Sequence, residues 1–168
     1  MGVFVIAIVS FVIGIILITL LKTTSPPPPS RRSQFEDPDN LPGFLLDSEL
    51  FKGKCIEFLE KFRLEYRHSV WANDRELEIA MHDETPVVGG SYLALCIINP
   101  LNNQVDGIKV QGFLDTVRGE GASRGILITT GFFTDDAYRT IEEEPVELVD
   151  GPSFVSYLKK FGIYEEHG

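Results

Sequence analysis

The first twenty-one residues, MGVFVIAIVSFVIGIILITLL, carry no charged side chain, and only Ser10 and Thr19 interrupt the run as polar residues. An α-helix rises about 1.5 Å per residue, so about twenty apolar residues match a hydrocarbon core of roughly 30 Å. The run therefore predicts a transmembrane helix over residues 1–22. A secretory signal peptide would need a basic stretch ahead of a shorter apolar run and a small-residue cleavage site after it. Neither is present. The nearest cations, Lys22, Arg31 and Arg32, all follow the run. The positive-inside rule then places the C-terminal side in the cytoplasm, which predicts a single-pass protein of the inner membrane held there by residues 2–21.

Residues 23–43, TTSPPPPSRRSQFEDPDNLPG, show no apolar period, and Pro26 to Pro29 favour polyproline II. They read as a semi-rigid spacer, with Arg31 and Arg32 near anionic headgroups. The predicted soluble domain is then residues 44–168.

Within it the hydrophobic period alternates between helical and extended. After Asp47, an N-cap residue type, Leu50, Phe51, Cys55, Phe58, Leu59 and Phe62 share one helical face. Residues 64–71 are strand-like. Residues 76–82 alternate Leu77, Ile79 and Met81 against Glu76, Glu78 and Ala80, as a half-buried strand does. YLALCII, 92–98, is apolar throughout and suits a strand buried on both faces. A helix over 107–118 follows, with Ile108, Val110, Phe113, Leu114 and Val117 as its apolar members. GILITT, 125–130, repeats the buried-strand pattern. Thr134 opens a helix with Asp135 and Asp136 in its first turn, where acids complement the helix dipole. VELVD, 146–150, is a short strand, and a last helix after Gly151-Pro152 aligns Phe154, Val155, Leu158 and Phe161. The order α, β, β, β, α, β, α, β, α predicts an α/β fold with a mixed central β-sheet flanked by helices.

Charge narrows the function classes. Twenty-five Asp and Glu face fifteen Lys and Arg, a formal net charge of −10, and every acid lies after position 35. Affinity for nucleic acid comes mostly from cations that neutralise phosphates, so so acidic a domain is a poor generic binder of DNA or RNA. The densest cluster of cations is Lys52, Lys54, Lys61, Arg63 and Arg67. Helical spacing sets Lys54 and Lys61 on one side as the candidate nucleic-acid contacts, with Glu57 and Glu60 interleaved. Two cysteines forty-one positions apart, Cys55 and Cys96, make neither a metal-ligand spacing nor a disulfide framework.

RGILITTGFFTDDA followed by VELVDGPSFVSYL resembles the Mrr-type restriction endonuclease domain of the PD-(D/E)XK nuclease fold. The matching positions are Gly125, Thr129, Thr130, Phe133, Thr134, Ala137, Asp150 and Gly151, and the resemblance extends over roughly residues 46–161. It implies a restriction-endonuclease-like sheet with an acid in the second strand and Gln or Glu, a spacer and Lys in the third. In such nucleases the carboxylates hold a divalent metal and the Lys acts on the attacking water. Carried over, Glu78 takes the acid position, but Leu95 and Ile97 stand where the polar pair belongs. Shifting the register does not restore it, because residues 92–98 include no charged side chain.

Other groups have simpler readings. Asp74, Glu76 and Glu78 with His82 would make an unusual carboxylate cluster, but a solvated strand face explains them better. His68 and His82 lie on neighbouring strands without a third ligand at zinc spacing. Thr129, Thr130 and Thr134 precede a helix, where exposed amides bind anions and phosphates. A plain N-cap at Thr134 is the preferred reading. Ser153 has no triad partners nearby, and Glu142 to Glu144 suit a solvated helix end.

Together these readings predict a membrane-anchored, Mrr-like domain that has lost catalysis and binds a protein partner, with no cofactor. One alternative is an active DNA endonuclease using Mg²⁺ at the membrane. Another is a noncatalytic DNA-docking module. The full-length protein should stay with the membrane fraction through a carbonate wash and leave it in detergent; recovery in the soluble fraction would defeat the spanning helix.

Overall fold

The computed structural model describes residues 42–99 and 103–164. The apolar N-terminal run and the Pro-rich spacer lie outside them, and no described helix is long and apolar enough to cross a membrane.

After a 3-10 turn at Gly43–Leu45, helix α1 (Ser48–Glu60) leads into strands β1 (Glu65–Asn73), β2 (Glu76–Asp83) and β3 (Gly90–Ile97). The short strand β4 (Gln104–Val105) and helix α2 (Gly107–Gly119) connect to β5 (Arg124–Thr129) and β6 (Phe132–Phe133). Helix α3 (Asp135–Thr140), strand β7 (Val146–Val149) and helix α4 (Gly151–Lys160) complete the described chain. The main sheet runs β1-β2-β3-β5-β7. Its first three strands are antiparallel and its last three parallel.

Each helix begins where a side chain can accept the orphan amides of its first turn. Asp47 accepts from the N–H of Glu49 and Leu50, Asp106 from Lys109, Thr134 from Ala137 and Asp150 from Ser153. Alternation along β2 and β3 then sorts the core onto two sides of the sheet. Leu77, Ile79, Met81, Ala94, Cys96 and Ile128 pack with Phe51, Phe58, Phe154 and Leu158 of α1 and α4. Leu93, Leu95, Ile97 and Leu127 pack with Val110, Phe113, Leu114 and Val117 of α2. The mixed sheet between helices, and the order of its main elements, are as the sequence pattern predicts.

Some expectations need correction. Ile108 is 83% exposed, because it lies on the side of α2 opposite Val110, Phe113, Leu114 and Val117. Leu50 is also exposed, in the first turn of α1. Helix α1 ends at Glu60, so Phe62 falls in the following turn, 51% exposed, and packs on the rings of Phe58 and Phe161. Strands β4 and β6, two residues each, pair parallel outside the main sheet and carry too little pattern to be seen in sequence.

Two glycines mark opposite local constraints. A Cβ at Gly151 would stand 2.3 Å from the Thr130 carbonyl oxygen, a backbone atom that cannot swing away. A Cβ on Gly53, in the middle of α1, would meet nothing within 4 Å. In urea unfolding, Gly53→Ala should stabilise by about 0.5–1 kcal/mol, the glycine-to-alanine difference in a helix interior. Gly151→Ala should instead lower the midpoint of unfolding.

Candidate functional site

The strand register assembles the position where the resemblance calls for catalytic groups. Val70, Glu78, Leu95, Leu127 and Leu148 form one row across all five strands, with their side chains on the α2 side. The neighbouring row is Asn73, Glu76, Ile97 and Thr129. The residue on each side of Glu78 in its row is thus aliphatic. Leu95 and Ile97, 5% and 7% exposed, belong to the α2 core.

Glu76 shares this side of β2 and is engaged: its Oε1 lies 2.8 Å from Lys109 Nζ, on the first turn of α2. Lys109 escapes a sequence reading because its partner lies thirty-three positions away. The available signal is its position beside Val110, at the margin of the buried stripe of α2. Among the described residues no group of three or more His, Cys, Asp or Glu is placed to hold a metal ion. A divalent cation in a nuclease of this fold needs several converging oxygen ligands, and Glu78 between aliphatic neighbours does not fit that demand. The histidines do not supply it either. His68 pairs with Ala80 and His82 with Glu65 and Ser91, so the two are offset along the hairpin.

The threonines at the end of β5 serve the fold. Thr129, fully buried, accepts a hydrogen bond from the Gly131 N–H at 3.2 Å. Thr130 Oγ1 accepts from the Asn99 N–H at 2.9 Å and donates to the Asn99 carbonyl at 3.0 Å, tying the ends of β3 and β5 together. Thr134 caps α3 through the Ala137 N–H at 3.4 Å. Two residues on, Asp136 Oδ2 accepts from the Gly107 N–H at the start of α2. The Thr134 hydroxyl and that amide hold the Asp136 carboxyl below the ordinary carboxylate range. An anion at this loop would meet Asp135 and Asp136 and find these hydroxyls already bonded. Neither Asn99 nor Asp136 has a sequence signal for these contacts, which cross 31 and 29 positions.

The basic strip is also interrupted. Lys54 Nζ lies 3.0 Å from Glu57 Oε2 and 3.0 Å from the Ile163 carbonyl, which anchors it to the chain beyond α4. Arg67 pairs with Glu65 at 2.9 Å and with Glu84 at 3.6 Å. Lys61 remains at the exposed C-terminal end of α1, so the strip expected from helical spacing reduces to isolated charges. Cys55 and Cys96 are buried side by side between α1 and β3, and burial pushes the Cys55 thiol well up, away from reactive thiolate chemistry.

Comparisons with known proteins support the fold. A family model described as Restriction endonuclease, Mrr_cat, matches residues 94–158, which run from β3 into α4. The DNA modification-dependent restriction endonuclease AspBHI is similar in structure, with a TM-score of 0.53 at 16% identity. That likeness covers 82% of this chain and 37% of that one. The MspJI restriction endonuclease, solved in complex with a 27-mer oligonucleotide, gives a TM-score of 0.49 at 16% identity, covering 79% of this chain and 31% of that one. The chain thus spans only about a third of either solved protein. No curated protein sequence matches it. The fold is restriction-endonuclease-like, as the second-half motif implies, and the matched segment is the one that carries Leu95, Ile97 and the threonines.

If Thr130 is a structural tie, Thr130→Val keeps its shape and strands the Asn99 N–H. The variant should lose about 0.5–1.5 kcal/mol in denaturant unfolding, as expected when a half-buried hydrogen bond is lost. An unchanged midpoint would return Thr130 to the list of anion contacts.

Proposed function

We propose that this protein is a membrane-tethered, restriction-endonuclease-like domain that no longer cuts DNA and works by binding a protein partner on the cytoplasmic face. The single observation that carries the reading is the row Val70, Glu78, Leu95, Leu127, Leu148. Hydrolysis of a phosphodiester on this fold needs charge around the scissile phosphate, supplied by a metal and its ligands, and a group that positions or deprotonates water. Here one carboxylate stands between aliphatic side chains, and Lys109, a cation that reaches this side of β2, is held by Glu76. This chain has no residue to route a proton or hold a metal at positions 95 and 97.

Protein binding is favoured over DNA docking on electrostatic grounds. The described domain is acidic, and of its basic strip Lys54 and Arg67 are in ion pairs. Tethering rests on the uncharged run of residues 2–21, and orientation on the cations that follow it. Residues 23–43 then act as the spacer between bilayer and domain.

Full-length protein in neutral detergent should leave supercoiled plasmid intact with Mg²⁺ or Mn²⁺ at stoichiometric protein. Cutting that disappears in Glu78→Ala would overturn the noncatalytic reading and restore the metal-dependent endonuclease.

A further inference from the structure

The main sheet has two edges, and they are built differently. Strand β1 is irregular twice, between Tyr66 and His68 and between Trp71 and Asn73, and it carries Glu65 and Arg67. Bulges and charges of this kind blunt an edge against further pairing. Strand β7 runs without a break beside β5. The Gly125 N–H donates to the Pro145 carbonyl at 2.8 Å, which sets the phase of the parallel ladder. Alternation then turns Glu147 and Val149 toward β5, and the N–H and C=O of Val146 and Leu148 outward. No described backbone group bonds to them.

Beside this edge lies an open groove of about 1040 Å³, lined by α1 and α4 on one side and by β7 and the turn before it on the other. One wall is aromatic: Phe58, Phe62, Tyr157 and Phe161 pack ring to ring, with Phe58 and Tyr157 stacked at 5.8 Å and Phe62 edge-on to Phe161 at 5.8 Å. Phe62 and Tyr157 keep 51% and 40% of their surface exposed. Such a wall is preformed, so a ligand side chain entering it need not order it first.

The charge along β7 has one sign. Glu143, Glu144 and Glu147 line the groove on that side. Glu144 is held by Arg118 at 2.7 Å, whereas Glu143 and Glu147 enter no ion pair among the described residues. Glu143 is held out in the turn before β7 at φ 67°. Arg124 and Lys160 also line the groove, one on β5 and one on α4. The complement required is therefore positive along β7 only.

We propose that β7 and this groove form the docking site for the protein partner, and that the occupant is an extended peptide that adds as a sixth strand. Its backbone bonds to Val146 and Leu148. Its alternate side chains face the groove, where a cationic one meets Glu147 and Glu143 and an aromatic one two positions away lies on Tyr157 and Phe161. Backbone pairing supplies affinity and the alternate side chains supply choice, as in other strand-addition complexes. The proposal rests on the protein-binding reading and names the partner's chemistry.

The test is anisotropy of a fluorescein-labelled peptide, Thr-Phe-Thr-Arg-Thr-Phe-Thr-Arg, titrated with full-length protein in neutral detergent. The peptide should bind saturably. A version with Glu for Arg should bind at least tenfold more weakly, and so should one N-methylated at alternate amides. Glu147→Arg should weaken the original peptide at least tenfold while its thermal unfolding stays unchanged, since Glu147 is exposed; Glu143→Arg takes its place if that variant does not fold. No saturable binding, equal binding of the acidic or N-methylated peptide, or indifference to the variant would each overturn the docking site. Those failures with plasmid DNA left uncut would leave the noncatalytic reading standing, whereas cutting would sink that reading whatever the peptide does.

Discussion

From Leu93 to Ile97, β3 is buried on both faces, and this double burial governs the rest of the domain. A strand with no solvent face must be covered above and below. Helices α1 and α4 cover one side and α2 the other. Each fully buried Leu or Ile contributes about 1.5–3 kcal/mol relative to exposure, so the five-residue run outweighs the local preferences of its neighbours. It also dictates topology, because a parallel partner can reach β3 only by a crossover, and α2 is that crossover.

The same burial shapes the chemistry. In a catalytic version of this sheet the third strand must break its apolar pattern at two positions on one face. Here that face is continuous with the α2 core through Leu95, Ile97 and Leu127. Apart from the buried Thr129, the polar residues that remain on that side lie toward the antiparallel half, where no helix covers β1 and β2 fully: Glu76, Glu78 and His82 are all half-buried. The domain is thus divided into a dry parallel half and a wetter hairpin half, with Lys109 and Glu76 joined where the two meet.

How much of this could be read from sequence follows from the range of the signals. Alternation in β2 and the apolar runs of β3 and β5 are local, and the caps Asp47 and Thr134 act within three residues, so these features are legible. The missing polar pair at Leu95 and Ile97 is legible in any register, because residues 92–98 include no charged side chain. Lys109 with Glu76, Thr130 with Asn99, and Lys54 with the Ile163 carbonyl join positions far apart in the chain, and no periodicity announces them. Helical spacing groups Lys54 with Lys61, which is the C-cap of α1. It could not show that the chain beyond α4 returns to claim Lys54. Ile108 failed for the opposite reason: its hydrophobicity was visible, but its angle around α2 counted for more.

The packing of Leu95 and Ile97 makes the present state of the sheet hard to leave. A carboxylate at 95 or an ammonium at 97 would enter a site where the existing side chains are 5% and 7% exposed, and desolvating a lone ion there costs several kcal/mol. A carboxylate at 95 would stand between Leu127 and the like charge of Glu78, whereas an ammonium at 97 would have Glu76 as its cross-strand neighbour, already paired with Lys109. Only a concerted exchange that also opened the α2 packing would avoid that cost. The aliphatic pair therefore filters substitutions: hydrophobic residues of similar volume fit at 95 and 97, while a charge at 95 must displace packing that the whole α2 side shares.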